Sequence, residues 1–214
     1  MCFSATASFI VGLALIGFGI VTLRMAKKRN QIPLASIPAL FGIQQISEGF
    51  IWLSVGSQSS LNQVSTLIYS FFSHVYWPIY VPFAILLLEK VEWRKKALLG
   101  FQALGLTVGL IYLFFMIKYP IASSVINKSI NYSSNYPLIF WLPFAYIAAS
   151  CISCFFSSHK LINIFGALGL ISAGLTYWLF TKTFVSVWCF AAAILSFIIF
   201  LHFYQGRIIL KGKN

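Results

Sequence analysis

The run TFVSVWCFAAAILSFIIFLHFY, residues 183–204, decides the fold, because it contains no charged residue from end to end. About 20 apolar residues form a helix long enough to cross the hydrocarbon core of a membrane. Six earlier runs are similarly apolar, and the predicted helices cover residues 3–23, 34–55, 65–88, 95–117, 137–157, 161–180 and 183–204. We therefore predict an all-α, polytopic membrane protein with seven transmembrane helices in a single domain, residues 1–214.

The composition agrees with a chain whose main solvent is lipid. Of the 214 residues, 60% are hydrophobic and only 8% are charged, whereas a soluble domain carries roughly 25% charged residues. The net charge of +12 could suggest nucleic acid as a partner. The basic residues lie in short loops and form no stripe with aromatic residues, so we expect the lipid bilayer, and no nucleic acid, as partner.

The distribution of basic residues predicts the orientation. Three basic residues fall on one side of the predicted membrane: Lys118, Lys128 and Lys182. Twelve fall on the other: Arg24, Lys27, Lys28, Arg29, Lys90, Arg94, Lys95, Lys96, Lys160, Arg207, Lys211 and Lys213. Short cytoplasmic loops carry the excess of Lys and Arg, so we expect the N-terminus outside and the C-terminus in the cytoplasm.

Glu48 is the only carboxylate within a predicted span. Ionisable residues inside hydrocarbon are costly and usually face the bundle interior or a cavity. Gln44, Gln45, Glu48 and Trp52 follow the spacing i, i+1, i+4 and i+8, so they share one face of their helix. The stripe predicts a functional site, and the alternative is a structural carboxylate bonded to neighbouring helices.

Three more residues are predicted to lie at a similar depth in the outer half. Counting 1.5 Å per residue, Glu48 lies roughly 10 Å, His74 roughly 13 Å, and Trp188 and Cys189 roughly 8–9 Å below the outer helix ends. The N-terminus lies on the same side. Removal of Met1 would give Cys2 a free amine beside its thiol, which could act as a ligand or a nucleophile; the alternative is a plain N-terminus.

Together, Cys2, Glu48, His74 and Cys189 form a mixed sulfur, oxygen and nitrogen set. Such a set suits a transition metal, Zn, Cu or Fe. The sequence has no HxxxH or HExxH motif to support it. We therefore expect either a metal site formed by these four residues or catalysis in which Cys2, Glu48 and His74 act as nucleophile and base.

Two other segments affect the architecture. Pro78 and Pro82 should kink the third helix and free backbone carbonyls. The stretch Ile121–Asn135 is rich in Ser and Asn and reads as a long, mobile outer loop.

A faint internal repeat relates two helices. Residues 46–49, ISEG, precede Trp52, and residues 171–174, ISAG, precede Trp178. Both helices are expected to run from inside to outside. This pattern raises the possibility of a 3+1+3 parallel repeat in which the fourth helix is the linker.

The opening Met1–Ser8, MCFSATAS, resembles that of a family of uncharacterised multi-helix bacterial membrane proteins. The resemblance extends to the QQxxEGxxW segment of residues 44–52, to His74 with Trp77-Pro78, and to Trp188-Cys189-Phe190. It implies that Cys2, Ser4, Glu48 and His74 belong to a family motif, and it places the chain in a bacterial inner (cytoplasmic) membrane as a multi-pass protein.

In topology the chain is also similar to SWEET-type and PQ-loop transporters, which have seven helices, an outside N-terminus and a 3+1+3 repeat. The Pro-Gln signature of those transporters is absent here, and His74 occupies the place of a substrate-binding Asn.

Three functions follow as alternatives. The first is a metal-binding intramembrane enzyme or redox protein, the second a small-solute transporter of SWEET-like topology, and the third a sensor or assembly factor without catalysis. The partner would be an unidentified small molecule or lipid substrate. The residues expected to contact it are Ser4, Gln44, Gln45, Trp52, Trp77 and Trp188.

Overall fold

The computed structural model describes residues 4–57, 59–137 and 139–211, with side chains as far as Gly206. These ranges contain α1 (Ala5–Met25), α2 (Ile32–Ser54), α3 (Ser60–Ser70), α4 (Trp77–Leu88), α5 (Glu92–Lys118), β1 (Ala122–Ile126), β2 (Ser129–Ser133), α6 (Leu142–Ser150), α7 (Lys160–Leu179), α8 (Phe184–Leu195) and α9 (Phe197–Lys211). The mostly helical chain with seven helical units that the sequence predicts is confirmed, since α3 with α4 and α8 with α9 each form one unit.

Five units of the described chain are long and apolar enough to cross a membrane: Ala5–Met25, Ser60–Leu88, Glu92–Lys118, Lys160–Leu179 and Thr181–Gly206. The fifth predicted span, residues 137–157, is shorter than expected, because it consists of α6 and a 3₁₀ segment, Ile152–Phe156. Helix α2 is not among the five. It bears Gln44, Gln45 and Glu48 on its buried surface, so its polar side chains face protein.

Glycines bring α1 and α2 into backbone contact. A Cβ added at Gly19 would lie 2.5 Å from the Cβ of Ala39, and one at Gly42 would lie 2.7 Å from the carbonyl oxygen of Gly12. Small residues allow helices to approach this closely in membrane proteins. The two helices therefore pack as a unit.

The third unit changes geometry where the sequence predicts a kink. Residues Phe71–Tyr76 form a π-helix, and the backbone N–H of Trp77 donates to the carbonyl oxygen of Phe72, five residues earlier. Pro78 follows directly and has no N–H to donate. The wider turn lets the chain continue as α4. The last unit is also interrupted, at Ser196, whose Oγ donates to the carbonyl oxygen of Ala193 at 2.6 Å.

The segment predicted as a long loop is a β-hairpin, so that prediction is wrong. Strands β1 and β2 pair antiparallel from Ala122 with Ser133 to Ile126 with Ser129. The two turn residues, Asn127 and Lys128, have φ values of 48° and 59°, as in the type I′ turns that join twisted strands. Ile130 is completely buried. We call the end of the bundle that carries this hairpin the hairpin end.

At the opposite end of the bundle, which we call the basic end, the carboxylate of Glu89 joins two segments of the chain through hydrogen bonds. Its Oε1 accepts hydrogen bonds from the backbone N–H of Lys90 at 2.9 Å and of Val91 at 3.0 Å. Its carboxylate also accepts from the N–H of Ser158 at 2.6 Å and from the Ser158 Oγ at 2.7 Å. Nearby, Arg94 donates to the carbonyl oxygen of Ser157 at 2.6 Å. The loop after α4 is thereby joined to the chain before α7.

Candidate binding site around Glu48

Glu48 is completely buried in the second half of α2. Its Oε1 accepts a hydrogen bond from Ser186 Oγ of α8 at 2.6 Å and a longer one, 3.4 Å, from the hydroxyl of Tyr132 in β2. Tyr69 of α3 and Gln45 also lie against the carboxyl group. Two helices and a strand therefore converge on this one side chain of α2.

Several polar atoms around Glu48 have no hydrogen-bond partner among the described residues. They are Glu48 Oε2, both amide atoms of Gln45, Nε2 of Gln44 and Nε1 of Trp52. An unmade hydrogen bond of a buried polar group costs about 1–3 kcal/mol. The set contains both acceptors and donors, so a small ligand that donates to Glu48 and accepts from the amides and the indole would satisfy it.

Glu48 has no counter-ion in the described part of the chain. The one ion pair among these residues lies at the basic end, where Glu92 and Lys95 are 3.3 Å apart. A buried ion without a partner is strongly unfavourable. Protonation of Glu48 or a bound cation would remove this cost.

Gln44 links this site to a small cavity. Its Oε1 accepts from Trp77 Nε1 at 2.7 Å, and the Trp77 ring stacks on Phe41 with centroids 3.8 Å apart. A cavity of about 40 Å³ lies beyond, and its walls include Phe41, Trp77, Tyr146, Cys151, Trp188 and Cys189. That volume holds roughly one or two water molecules.

Cys189 lies in the same group, beside Glu48, Gln44 and Tyr69. A thiol becomes a nucleophile when nearby positive charge favours the thiolate. Here the neighbours are a carboxyl group, an amide and a phenol, and none of them carries positive charge. The environment of Cys189 therefore gives no support to nucleophilic catalysis by this residue.

His74 faces a different neighbour. It lies in the π-helix, where its Nδ1 is 3.1 Å from the carbonyl oxygen of Ser70 and 2.8 Å from Ser73 Oγ. Its ring packs on Tyr112 of α5, with centroids 5.3 Å apart. The depth of His74 and Glu48 along their helices was predicted, but depth does not fix which neighbour a side chain faces.

The predicted metal set is not assembled in the part of the chain that the structure describes. No three His, Cys, Asp or Glu side chains among these residues lie close enough to hold an ion. Glu48 and Cys189 are neighbours, while the recorded contacts of His74 are with the π-helix and α5. Cys2 lies outside the described residues. The structure therefore does not support the predicted Zn, Cu or Fe site.

The six predicted binding residues fall in three places. Gln44, Gln45 and Trp52 contribute polar atoms without partners, and Trp77 is bonded to Gln44. Trp188 lines the cavity and donates its Nε1 to the carbonyl oxygen of Gly169 at 3.1 Å. Ser4 is exposed and caps α1, since its Oγ accepts from the N–H of Ala7 at 3.2 Å.

Three members of the site were missed by the sequence analysis: Tyr69, Tyr132 and Ser186. Ser186 lies three residues before Cys189, so helical spacing places it on the face of Cys189. Tyr132 had no such signal, because its segment resembles a loop.

The chain matches a sequence family over nearly its full length. The sequence model described as "Family of unknown function (DUF6629)" matches residues 1–211. The chain belongs to this family. No curated protein and no solved structure matches the chain, so for this DUF6629 member the likeness to SWEET-type transporters stays a prediction.

Proposed function

We propose that this protein is an integral membrane transporter that binds a small polar solute at Glu48 and couples binding to protonation of that residue. The observation that carries the proposal is the complete burial of Glu48 with no counter-ion among the described residues and with Oε2 unbonded. Ionisable residues within a membrane commonly mark proton or substrate pathways. The positive-inside distribution of charge would place the hairpin end outside the cell.

The buried polar atoms that have no hydrogen-bond partner indicate the class of solute. Gln45 Oε1 needs a donor, while the N–H groups of Gln44, Gln45 and the Trp52 indole need acceptors. Glu48 Oε2 accepts a hydrogen bond when it is ionised and donates one when it is protonated. A small neutral or cationic molecule that carries an N–H or O–H group beside an oxygen, such as an amide or a polyol, satisfies both. The interruptions after α3 and α8 also favour transport, because broken helices commonly form substrate sites in transporters.

The site favours catalysis less than it favours transport. Catalysis by a thiol needs an activated nucleophile, and Cys189 has a carboxyl neighbour. The remaining predicted nucleophile, Cys2, would have to reach the same group for the enzyme alternative to hold.

The proposal is tested in proteoliposomes that contain a pH-sensitive dye. Gradients of urea, glycerol and methylammonium are applied in turn, and lumenal pH is followed for wild type, Glu48→Gln and the matched control Glu92→Gln. We expect at least one solute to drive proton movement, and Glu48→Gln to reduce that rate by about tenfold or more. Proton movement equal in wild type and Glu48→Gln would refute the role of Glu48.

A hydrophobic carbodiimide gives a second readout, because it modifies carboxyl groups that are protonated within a membrane. Glu48 should be modified in the wild type and protected by the transported solute. Absence of any modification at Glu48 under acidic conditions would contradict its protonation.

A further inference from the structure

The β-hairpin forms one wall of the Glu48 site. The Tyr132 ring stacks on Tyr69 with centroids 4.5 Å apart and an interplanar angle of 9°, and its hydroxyl donates to Glu48 Oε1. The completely buried Ile130 packs in one cluster with Ile51, Tyr69 and Cys189. On the hairpin side, Tyr132 and Ile130 therefore stand between the carboxyl group and the end of the bundle.

The other strand is tethered to α3 by short polar side chains. Ser123 Oγ donates to Asn62 Oδ1 at 3.2 Å, and Thr66 Oγ1 donates to Ser123 Oγ at 3.1 Å. A neutral hydrogen bond of this kind contributes only about 0.5–1.5 kcal/mol. These tethers can be broken at modest cost, so the burial of Ile130 and the stack of Tyr132 on Tyr69 are the main contacts that opening has to break.

The hairpin is also bounded by stiff residues. Pro120 precedes β1 and Pro137 follows β2, and proline fixes its own φ angle. Between these two residues the strands are held by their own ladder, and the turn residues Asn127 and Lys128 are exposed. The segment is thus a self-contained unit, whose inner side covers Glu48 and whose outer side faces away from the bundle.

We infer that the β-hairpin is a lid over the Glu48 site, and that Tyr132 is the residue that closes it. The inference rests on the proposed function, since it names the route by which the solute reaches Glu48. Solute and protons enter from the hairpin end when Tyr132 leaves Tyr69 and Glu48. The stack on Tyr69 makes Tyr132 a positioning residue for the closed state.

A disulfide between α3 and β1 tests the lid. Thr66→Cys with Ser123→Cys places two Sγ atoms where two γ oxygens are now 3.1 Å apart. The probe is a water-soluble carbodiimide with glycinamide, applied to the full chain in detergent, and modification of Glu48 is measured by mass spectrometry. We expect oxidation to slow modification of Glu48 by roughly tenfold and reduction to restore it. Each single cysteine variant is a matched control and should not respond to oxidation.

Two tyrosine variants extend the test. Tyr132→Ala should speed modification of Glu48 several-fold, whereas Tyr132→Phe, which keeps the stacked ring, should have a much smaller effect. Equal modification of the oxidised and reduced double variant would overturn the lid and leave the site intact. If Glu48 reacts in none of these proteins while the exposed Glu92 reacts in all, the solute-accessible site itself is refuted, and the lid with it.

Discussion

At the scale of single residues, the two buried carboxylates of this protein have opposite surroundings. Glu89 accepts four hydrogen bonds from Lys90, Val91 and Ser158, whereas one oxygen of Glu48 has no partner among the described residues. A carboxylate whose oxygens both accept hydrogen bonds stabilises the fold, whereas one with an oxygen left without a hydrogen bond is available to a ligand. The first therefore belongs to the architecture and the second to the site.

The hydrogen bonds of Glu89 predict that the free energy of unfolding depends on pH. Burial raises the pKa of its carboxyl group, but the hydrogen bonds from Val91, Ser158 and Lys90 outweigh that effect and lower the pKa to about 2. Because the folded pKa is depressed, the stabilisation is fully present above about pH 4.5 and disappears as the pH falls towards 2.

We expect Glu89→Gln to lower the free energy of unfolding by on the order of 2–3 kcal/mol near pH 7, and by progressively less below pH 4.5. Thermal unfolding in detergent across this pH range measures the difference. A difference between wild type and Glu89→Gln that stays constant down to pH 3 would contradict the assignment.

Ser186 supplies the shortest hydrogen bond to Glu48, at 2.6 Å. Ser186→Ala should therefore destabilise the protein by about 1–3 kcal/mol, because it removes the shortest hydrogen bond to a buried carboxyl oxygen of Glu48. Ser172→Ala is the matched control, since Ser172 Oγ only donates to a carbonyl oxygen of its own helix. Equal melting temperatures for the two variants would show that the bond to Glu48 contributes little.

At the scale of elements, the close approach of α1 and α2 gives a paired test. Gly19→Ala would place a methyl group 2.5 Å from Ala39, whereas at Gly17 nothing lies within 4 Å. We expect Gly19→Ala to cost about 1–3 kcal/mol through overpacking, and Gly17→Ala to be neutral or slightly stabilising because Ala favours a helix. Melting in detergent compares the two, and similar values would mean that the helices separate without cost.

The elements also show what the sequence could and could not predict. The burial of Glu48 followed from its being the only carboxylate in a predicted span. The contacts of His74 did not follow, because the π-helix shifts the register of the turn that carries it. The hairpin was missed because Ser and Asn dominate its strands and its turn is Asn127-Lys128 rather than the more diagnostic Asn-Gly.

At the scale of the whole molecule, the charge distribution predicts which end faces the cytoplasm. Lys128→Cys, in the exposed hairpin turn, should react with a membrane-impermeant maleimide in intact cells. Lys95→Cys, at the basic end, should react only after the membrane is permeabilised. The reverse pattern would invert the orientation, and the lid would then open towards the cytoplasm.

The hydrogen bond between Glu48 and Ser186 joins residues 138 positions apart, and this separation constrains biogenesis. A ribosome makes α2 long before α8, so in the proposed membrane protein Glu48 would be inserted before Ser186 has been synthesised. Its carboxyl group would then have to enter the membrane neutral or shielded by water until the last helices arrive. Chains that stop before α8 would keep this buried polar group without its Ser186 hydrogen bond.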